Sequence, residues 1–371
     1  MRGTTTWTAV GAIGSAALLA VGAGAGAERA TGAQLTNVTV QLKWVTQAQF
    51  AGYYAAKERG YYRQQGLNVT ITPGSPDLAP KTVVAGGQAQ FGVNWFSNLL
   101  AARDEAANLV NIAQVFTRSG FTLLTWRDTG LNRISQLRGK TVANWLDGNE
   151  WEVYAALRKN GIDPYDTRQV AIFEQPFSMD FFIRRQTDAA SAMTYNELAQ
   201  VLEARNPRTG KLFRLRDLNV FKMENVGTGM LEDGIFVRAD WIAKATNRAI
   251  ARRFLIATLK GWIYCRDHYL NCTNISVRNG TELGRGHQRW QMNEINALIW
   301  PAPKGIGVMD PKAYARTVAI AKRFQVVTNT PKGAYRTDIA RAAVAALRRQ
   351  GLDVFGKRWK KAKIQVTPGG K

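Results

Sequence analysis

Histidine, cysteine and acidic residues are scarce in this 371-residue chain, and each shortage narrows what it can do. There are two histidines, His268 and His287. A hydrolase triad needs an imidazole beside a nucleophile and an orienting acid. His287, in Gly284-Arg285-Gly286-His287, could serve, but no Gly-x-Ser-x-Gly elbow accompanies it. The two cysteines, Cys265 and Cys272, lie far from the chain start, which excludes a lipid-modified N-terminal cysteine. With His268 they form Cys-x2-His-x3-Cys. That is three candidate ligands without a partner pair, short of a structural zinc site. No metal and no cofactor are expected. Long apolar runs are missing as well: none reaches the ~20 residues of a membrane helix. A hydrophobic content of 46% is too polar for a membrane bundle, yet ample for one or two packed cores.

Acidic residues number 27 against 50 lysines and arginines, a formal net charge of +23. Such a surface attracts polyanions. The basic residues are nevertheless spread along the chain, with short clusters at Arg348-Arg349 and Lys357–Lys363. Zinc-finger spacing, an RNA-binding aromatic signature and a basic zipper are all absent. We read a solvated basic surface and no nucleic-acid partner. No repeat of solenoid period is visible.

What is present begins at the N-terminus. Arg2 is the only charge before Glu28, and an apolar stretch, Ala12–Ala23, precedes Ala25-Gly26-Ala27. A basic start, a short apolar region and a small-x-small end read as a signal peptide over residues 1–27, with an exported, periplasmic mature protein. In an oxidising compartment Cys265 and Cys272 are placed to form a disulfide; the alternative is two thiols on one helix.

Beyond residue 36 the pattern alternates between strand and helix. Strands are expected at Val38–Leu42, Asn68–Thr72, Phe91–Val93, Val110–Phe116 and Thr122–Trp126, with helices at Phe50–Gln64, Pro80–Gly86 and Ser97–Ala107. The order then restarts: strands at Gly139–Trp145, Arg168–Phe173, Asp188–Met193 and Asn219–Met223, helices at Asn149–Asn160, Met179–Arg185 and Tyr195–Ala204. Gly234–Val237 reads as a strand returning to the first unit. Helices follow at Arg248–Tyr269, Glu282–Leu298, Pro311–Phe324 and Thr337–Gln350, and the lysine-rich end after Phe355 reads as frayed. This is an α/β chain with largely parallel sheets in two lobes: 28–130 plus 234–371, and 131–233 inserted between them.

Ligands of open α/β sheets sit outside the carboxyl ends of strands, so the segments after each strand hold the candidates. After the first strand come Trp44, Gln47, Gln49, Phe50 and Tyr53. Later strand ends carry Asn94 and Trp95, then Trp145, Asn149 and Glu150, then Phe177, and finally Tyr195 and Glu197. Glu232 and Asp233 precede the returning strand. Aromatic faces with amides and carboxylates suit a planar, hydrogen-bonding ligand. Each aromatic could instead be core or lobe contact, Trp151, Tyr54 and Phe96 above all. Asn149 could simply cap its helix, and Glu232-Asp233 could simply set a hinge. No arginine stands in these segments, which argues against an anion clamp.

The run Gln41-Leu42-Lys43-Trp44, Gln47-Ala48-Gln49-Phe50-Ala51-Gly52-Tyr53-Tyr54, Gly60-Tyr61-Tyr62 and Gly66-Leu67-Asn68-Val69 resembles the opening of the thiamine-pyrimidine and riboflavin-binding family of ABC-importer solute-binding proteins. Gly139-Lys140-Thr141-Val142, Gly148-Asn149-Glu150 and Met230-Leu231-Glu232-Asp233-Gly234 are similar too. The resemblance covers roughly residues 38–300. It implies a two-lobed type II periplasmic-binding fold, a monomer, capture by hinge closure and a membrane permease as partner. It also implies one cavity wall from Trp44 to Trp95, the other from Trp145 to Glu197, and Glu232-Asp233 at the crossover. Riboflavin is the first ligand expected and a thiamine-precursor pyrimidine the second; distant relatives bind sulfonates or nitrate. Eukaryotic relatives are pyrimidine-making enzymes with a His- and Cys-rich iron segment, which this chain lacks; it is read as no enzyme.

Overall fold

The computed structural model describes residues 34–75, 78–146, 148–329 and 331–371. The expected signal peptide, and Asp147 within the Trp145–Trp151 segment, lie outside the described residues. The first sheet takes β1 (Thr36–Gln41), β2 (Leu67–Thr72), β3 (Phe91–Trp95) and β4 (Leu109–Gln114). The second takes β5 (Phe121–Trp126), β6 (Thr141–Asn144), β7 (Ala171–Glu174), β8 (Ala189–Met193) and β9 (Leu218–Lys222), and β10 (Asp233–Arg238) then returns to the first. The orders are β2-β1-β3-β10-β4 and β7-β6-β8-β5-β9. In β1 the alternation Val38, Val40 turns one face inward, while β3 and β4 are buried throughout, as near-continuous apolar runs in covered sheets are.

Two expectations change. The sheets are mixed rather than largely parallel, because β10 runs antiparallel to β3 and β4, and β5 antiparallel to β8 and β9. The chain leaves the first sheet at the carboxyl end of β4 and returns through the amino end of β10. Each crossing strand therefore enters its new sheet from the side facing the other sheet, and must run the opposite way. For the same reason β5, assigned above to the first lobe, pairs in the second sheet, and the crossing lies between Gln114 and Phe121 instead of at 130.

The helix Ala245–Asp267 packs on the first sheet and crosses the helix Ala51–Glu58 at two glycines. A Cβ on Gly52 would lie 2.2 Å from the Trp262 ring, and one on Gly261 would lie 2.1 Å from the Gly52 carbonyl oxygen. Only backbone fits at this crossing, which accounts for glycine in the Ala51-Gly52-Tyr53 run. Around it Phe91 stacks on Phe254 at 3.9 Å, and Tyr53 meets Trp262 edge-on at 5.9 Å. At His268 the chain breaks into an unanticipated helix, Tyr269–Arg278, and the Cys265–Cys272 disulfide, Cα atoms 5.3 Å apart, staples this corner. Closing so short a loop is worth about 2–3 kcal/mol in the chain-entropy description. The next helix, expected from Glu282, runs Arg285–Ile299.

The end of the chain is not frayed. Asn293 exchanges two hydrogen bonds with the Ala362 backbone, both 2.9 Å, and Lys361 pairs with Glu294. Val366 packs under the second sheet, and Gly370 is buried against Glu203 and His287. Lysines on the outer side kept this tail polar in sequence while its backbone found partners.

Gly52→Ala is expected to lower the stability of the fold by about 1–3 kcal/mol, the cost of forcing an extra methyl into a full core. Urea denaturation reads it directly, and an unchanged midpoint would show that the two helices can part without penalty.

Candidate functional site

The opening loop is shaped by buried polar bonds. Gln41 at the end of β1 donates to the carbonyls of Leu42 and Pro73, each at 3.0 Å, which turns the chain away from the sheet. Ala48 N–H donates to Gln288 Oε1 at 2.7 Å, fixing the loop on the helix Arg285–Ile299. From there a relay of amides runs in one direction. Gln291 donates to Gln47 at 2.8 Å, Gln47 to Gln49 at 2.7 Å, and Gln49 to Asp233 Oδ2 at 2.9 Å. The carboxylate can only accept, so it sets the direction of every amide before it.

These bonds leave a cavity of ≈ 690 Å³ between the two sheets. Nine of the residues predicted from sequence line it: Trp44, Gln47, Gln49 and Trp95 from the first sheet's side, and Trp145, Asn149, Phe177, Tyr195 and Glu197 from the second's. Six do not reach it. Phe50 and Tyr53 belong to the core, Tyr53 because it faces Trp262. Asn94, Glu150, Glu232 and Asp233 stand behind the wall as supports. Asn94 accepts from Lys43, Glu150 accepts from Gly148 N–H at 2.7 Å, and Asp233 ends the amide relay. Asn149 is not a helix cap, since the helix Trp151–Lys159 is preceded by Glu150. Its Oδ1 is buried without a hydrogen-bond partner among the described residues.

Lys43, Asn98, Gln175 and Asn196 also line the cavity and were not singled out. Lys43 lies in the opening run beside Trp44, Gln175 lies two residues before Phe177, and Asn196 follows Tyr195. Gly148 brings the Gly148-Asn149-Glu150 segment onto Asn98. Its φ is +98°, and a Cβ there would lie 2.3 Å from the Asn98 amide nitrogen.

The charges are unusual for their depth. Lys43 is 5% exposed, donates to Asn94 Oδ1 at 3.1 Å, and holds its ammonium 5.0 Å from the Trp95 ring centre and 5.9 Å from that of Trp44. Burial lowers it to about 8, against the pull of Asp233, Glu150 and Glu232. Burial also raises Glu197 to about 7 and Asp233 to about 6, although Glu197 accepts from Met193 N–H and the Asn196 amide.

Both chain crossings meet at Ser119. Glu232 accepts from Gly120 N–H at 2.6 Å, so the returning segment holds the outgoing one. The Ser119 hydroxyl lies 2.7 Å from Glu152 and 3.1 Å from Glu232, and receives Phe121 N–H at 3.1 Å. One hydroxyl hydrogen cannot serve two carboxylates at once, so both contacts are satisfied only when one of the two carboxyls is protonated. Burial, then each other's charge, pushes Glu232 well above the carboxylate range; burial takes Glu152 to about 8. His287, the candidate imidazole, does not line the cavity: it is buried between Glu203, at 3.0 Å, and Asn196 Oδ1, at 3.0 Å.

A carboxyl whose folded value is raised keeps a proton that the unfolded chain releases. Stability from Glu152 is therefore complete below about 4.5 and is lost as pH rises through about 8. Thermal midpoints measured across this window should fall with pH in the parent protein and fall less in Glu152→Gln. Equal slopes would remove Glu152 from the account.

Comparison with known proteins agrees with this architecture. The family model described as NMT1/THI5 like matches residues 47–269, more than half of the chain. The riboflavin-binding protein RibY of Chloroflexus aurantiacus is 23% identical over 76% of this chain and 79% of its own length. The 4-amino-5-hydroxymethyl-2-methylpyrimidine phosphate synthase of Schizosaccharomyces pombe is 19% identical, over 35% of this chain; the chain spans 38% of that enzyme. The periplasmic aliphatic sulphonate binding protein SsuA from Escherichia coli superposes with a TM-score of 0.58 at 13% identity, covering 89% of this chain and 96% of that one, a likeness of fold. With two mixed sheets facing one cavity in the periplasmic-binding-protein fold, the chain belongs to the NMT1/THI5-like family.

Proposed function

We propose that the protein is an exported solute-binding protein that captures a planar heterocycle for an ABC importer. Riboflavin is the first ligand and a thiamine-precursor pyrimidine the second. The observation that carries this reading is the wall composition of the ≈ 690 Å³ cavity: five aromatic residues, Trp44, Trp95, Trp145, Phe177 and Tyr195, among the amides of Gln47, Gln49, Asn98, Asn149, Gln175 and Asn196. That volume lies within the ~300–1,000 Å³ of drug-sized ligand sites and exceeds what a nitrate ion fills. No arginine lines it among the described residues, so a bidentate clamp for a sulfonate has no donor here. RibY, which shares most of its length with this chain, is named for riboflavin binding.

The lobes in this reading are the two sheet-bearing halves, joined by the crossings at 115–120 and 223–232. Ligand bound to one wall is covered as the other closes, and closure is stabilised by contacts made only in the closed state. The permease of the importer reads that closed form, and the binding protein acts as a monomer. The signal-like N-terminus supports export. Among the described residues no helix is long and apolar enough to cross a membrane. The position of His287, locked outside the cavity, supports capture over catalysis.

Titration of the purified protein with riboflavin should quench flavin emission saturably, as a ring stacked on tryptophan does. Absence of binding at micromolar riboflavin, with binding of 4-amino-5-hydroxymethyl-2-methylpyrimidine, would exchange the two ligands. Failure of both would overturn the heterocycle reading. Trp44→Ala should weaken binding by about 1–3 kcal/mol, the worth of a base–aromatic stack; unchanged affinity would take Trp44 out of the ligand contact.

A further inference from the structure

Lys43 has more hydrogen-bonding capacity than the protein uses. An ammonium carries three N–H donors, and among the described residues its one hydrogen-bond acceptor is Asn94 Oδ1 at 3.1 Å. No carboxylate lies in ion-pair contact with it among those residues; instead the faces of Trp95 and Trp44 flank it. The side chain is 5% exposed and lines the cavity. A buried cation left short of acceptors is costly. The cost falls when something entering the cavity supplies them.

The charged groups around it are Asp233, Glu150 and Glu232, which favour the ammonium, and Lys81, which opposes it. None of these four supplies a hydrogen bond to Nζ, so they hold the charge in place without consuming its donors. Elsewhere in the same cavity the buried Asn149 Oδ1 is an acceptor with no donor among the described residues. Among the described residues the wall thus offers a cationic group with N–H donors to spare and, at Asn149, an amide acceptor to spare.

Resting on the heterocycle reading above, we infer that Lys43 is the specificity-determining residue of the cavity and takes the carbonyl edge of the ligand. The class selected is a ring bearing carbonyl oxygens beside a ring N–H, as in a pyrimidinedione. An amino substituent facing Lys43 would set donor against donor and leave the ammonium unpaired. A carbonyl oxygen accepts its free N–H groups, while a ring N–H is the complement of Asn149 Oδ1. Specificity of this kind, built on a buried group left unpaired by the wrong ligand, discriminates strongly.

The test compares carbonyl-bearing rings (riboflavin, barbiturate, uracil) with amino-bearing ones (4-amino-5-hydroxymethyl-2-methylpyrimidine, cytosine) by calorimetry, in the parent protein and in Lys43→Met. Methionine keeps length and apolar stem and removes the donors. Carbonyl rings should bind the parent protein preferentially, and Lys43→Met should weaken them by about tenfold or more, as loss of a charge-assisted hydrogen bond does, while changing amino rings by less than about threefold. Parent affinity for carbonyl rings should also decline as pH rises past about 8, where the ammonium loses its proton, and the Lys43→Met profile should be flat there. If only barbiturate or uracil binds, and does so through Lys43, riboflavin falls as ligand and the inference stands. If amino rings bind and carbonyl rings do not, the heterocycle reading survives and the inference fails. Equal binding of carbonyl rings by parent and variant, or binding of none of them, overturns it as well. A urea midpoint of Lys43→Met at or above the parent's shows that a loss of binding is not a loss of fold.

Discussion

Glu232 and Asp233 lie at the point where the chain crosses back from the second sheet to the first, and the cavity is anchored on these two buried carboxyls. Through Gly120 N–H, Glu232 ties the returning segment to the outgoing one. Through Gln49, Gln47 and Gln291, Asp233 ties the opening loop to the helix Arg285–Ile299. Burial without partners would be prohibitive for either group. One oxygen of each is bonded, Glu232 by Gly120 N–H and Asp233 by Gln49, so part of the cost of burying the carboxyls is offset by bonds that tie separate segments of the chain together. Both carboxyls are held by the Ser119 hydroxyl, and a proton on either one lessens the repulsion between Glu152 and Glu232.

On that frame the aromatic walls are assembled from strand ends. Trp95 ends β3, Trp145 follows β6 and Tyr195 follows β8, so each ring stands at the sheet edge that faces the other sheet. Phe121, the first residue of the crossing strand β5, touches both Trp95 and Trp145 at ring distances of 5.6 and 5.7 Å. A continuous aromatic path therefore spans the two halves beside the crossing. The strongly basic exterior does not extend inward: the buried groups around Lys43 are chiefly carboxyls, and recognition rests on local geometry more than on net charge.

Much of this was legible in sequence. The ten strands and most helices of the described residues follow from period and punctuation, because apolar alternation and glycine stops are local properties. The helix Tyr269–Arg278 escaped notice because the break at His268 carries neither glycine nor proline. Among site residues, the aromatics just after a strand are legible, because their type and place agree. Lys43 was passed over because lysine ordinarily points to water, and Phe50 and Tyr53 were over-read because aromatics serve cores and cavities alike. Gln288 and Gln291, some 240 positions from the loop they support, left no local signal at all.

By itself, then, the sequence determined the α/β class, the strand that follows the second set of strands and helices, the strand-end aromatics and amides, and an opening run similar to one family. Those features depend on residues a few positions apart. Tertiary structure alone decided which way the crossing strands run, that β5 belongs to the second sheet, that the lysine-rich tail is pinned along Asn293 and Glu294, and that Lys43 is buried with donors to spare. Each of these depends on groups brought together from distant parts of the chain, where hydrogen-bond direction, burial and steric fit act between residues whose proximity no local pattern encodes.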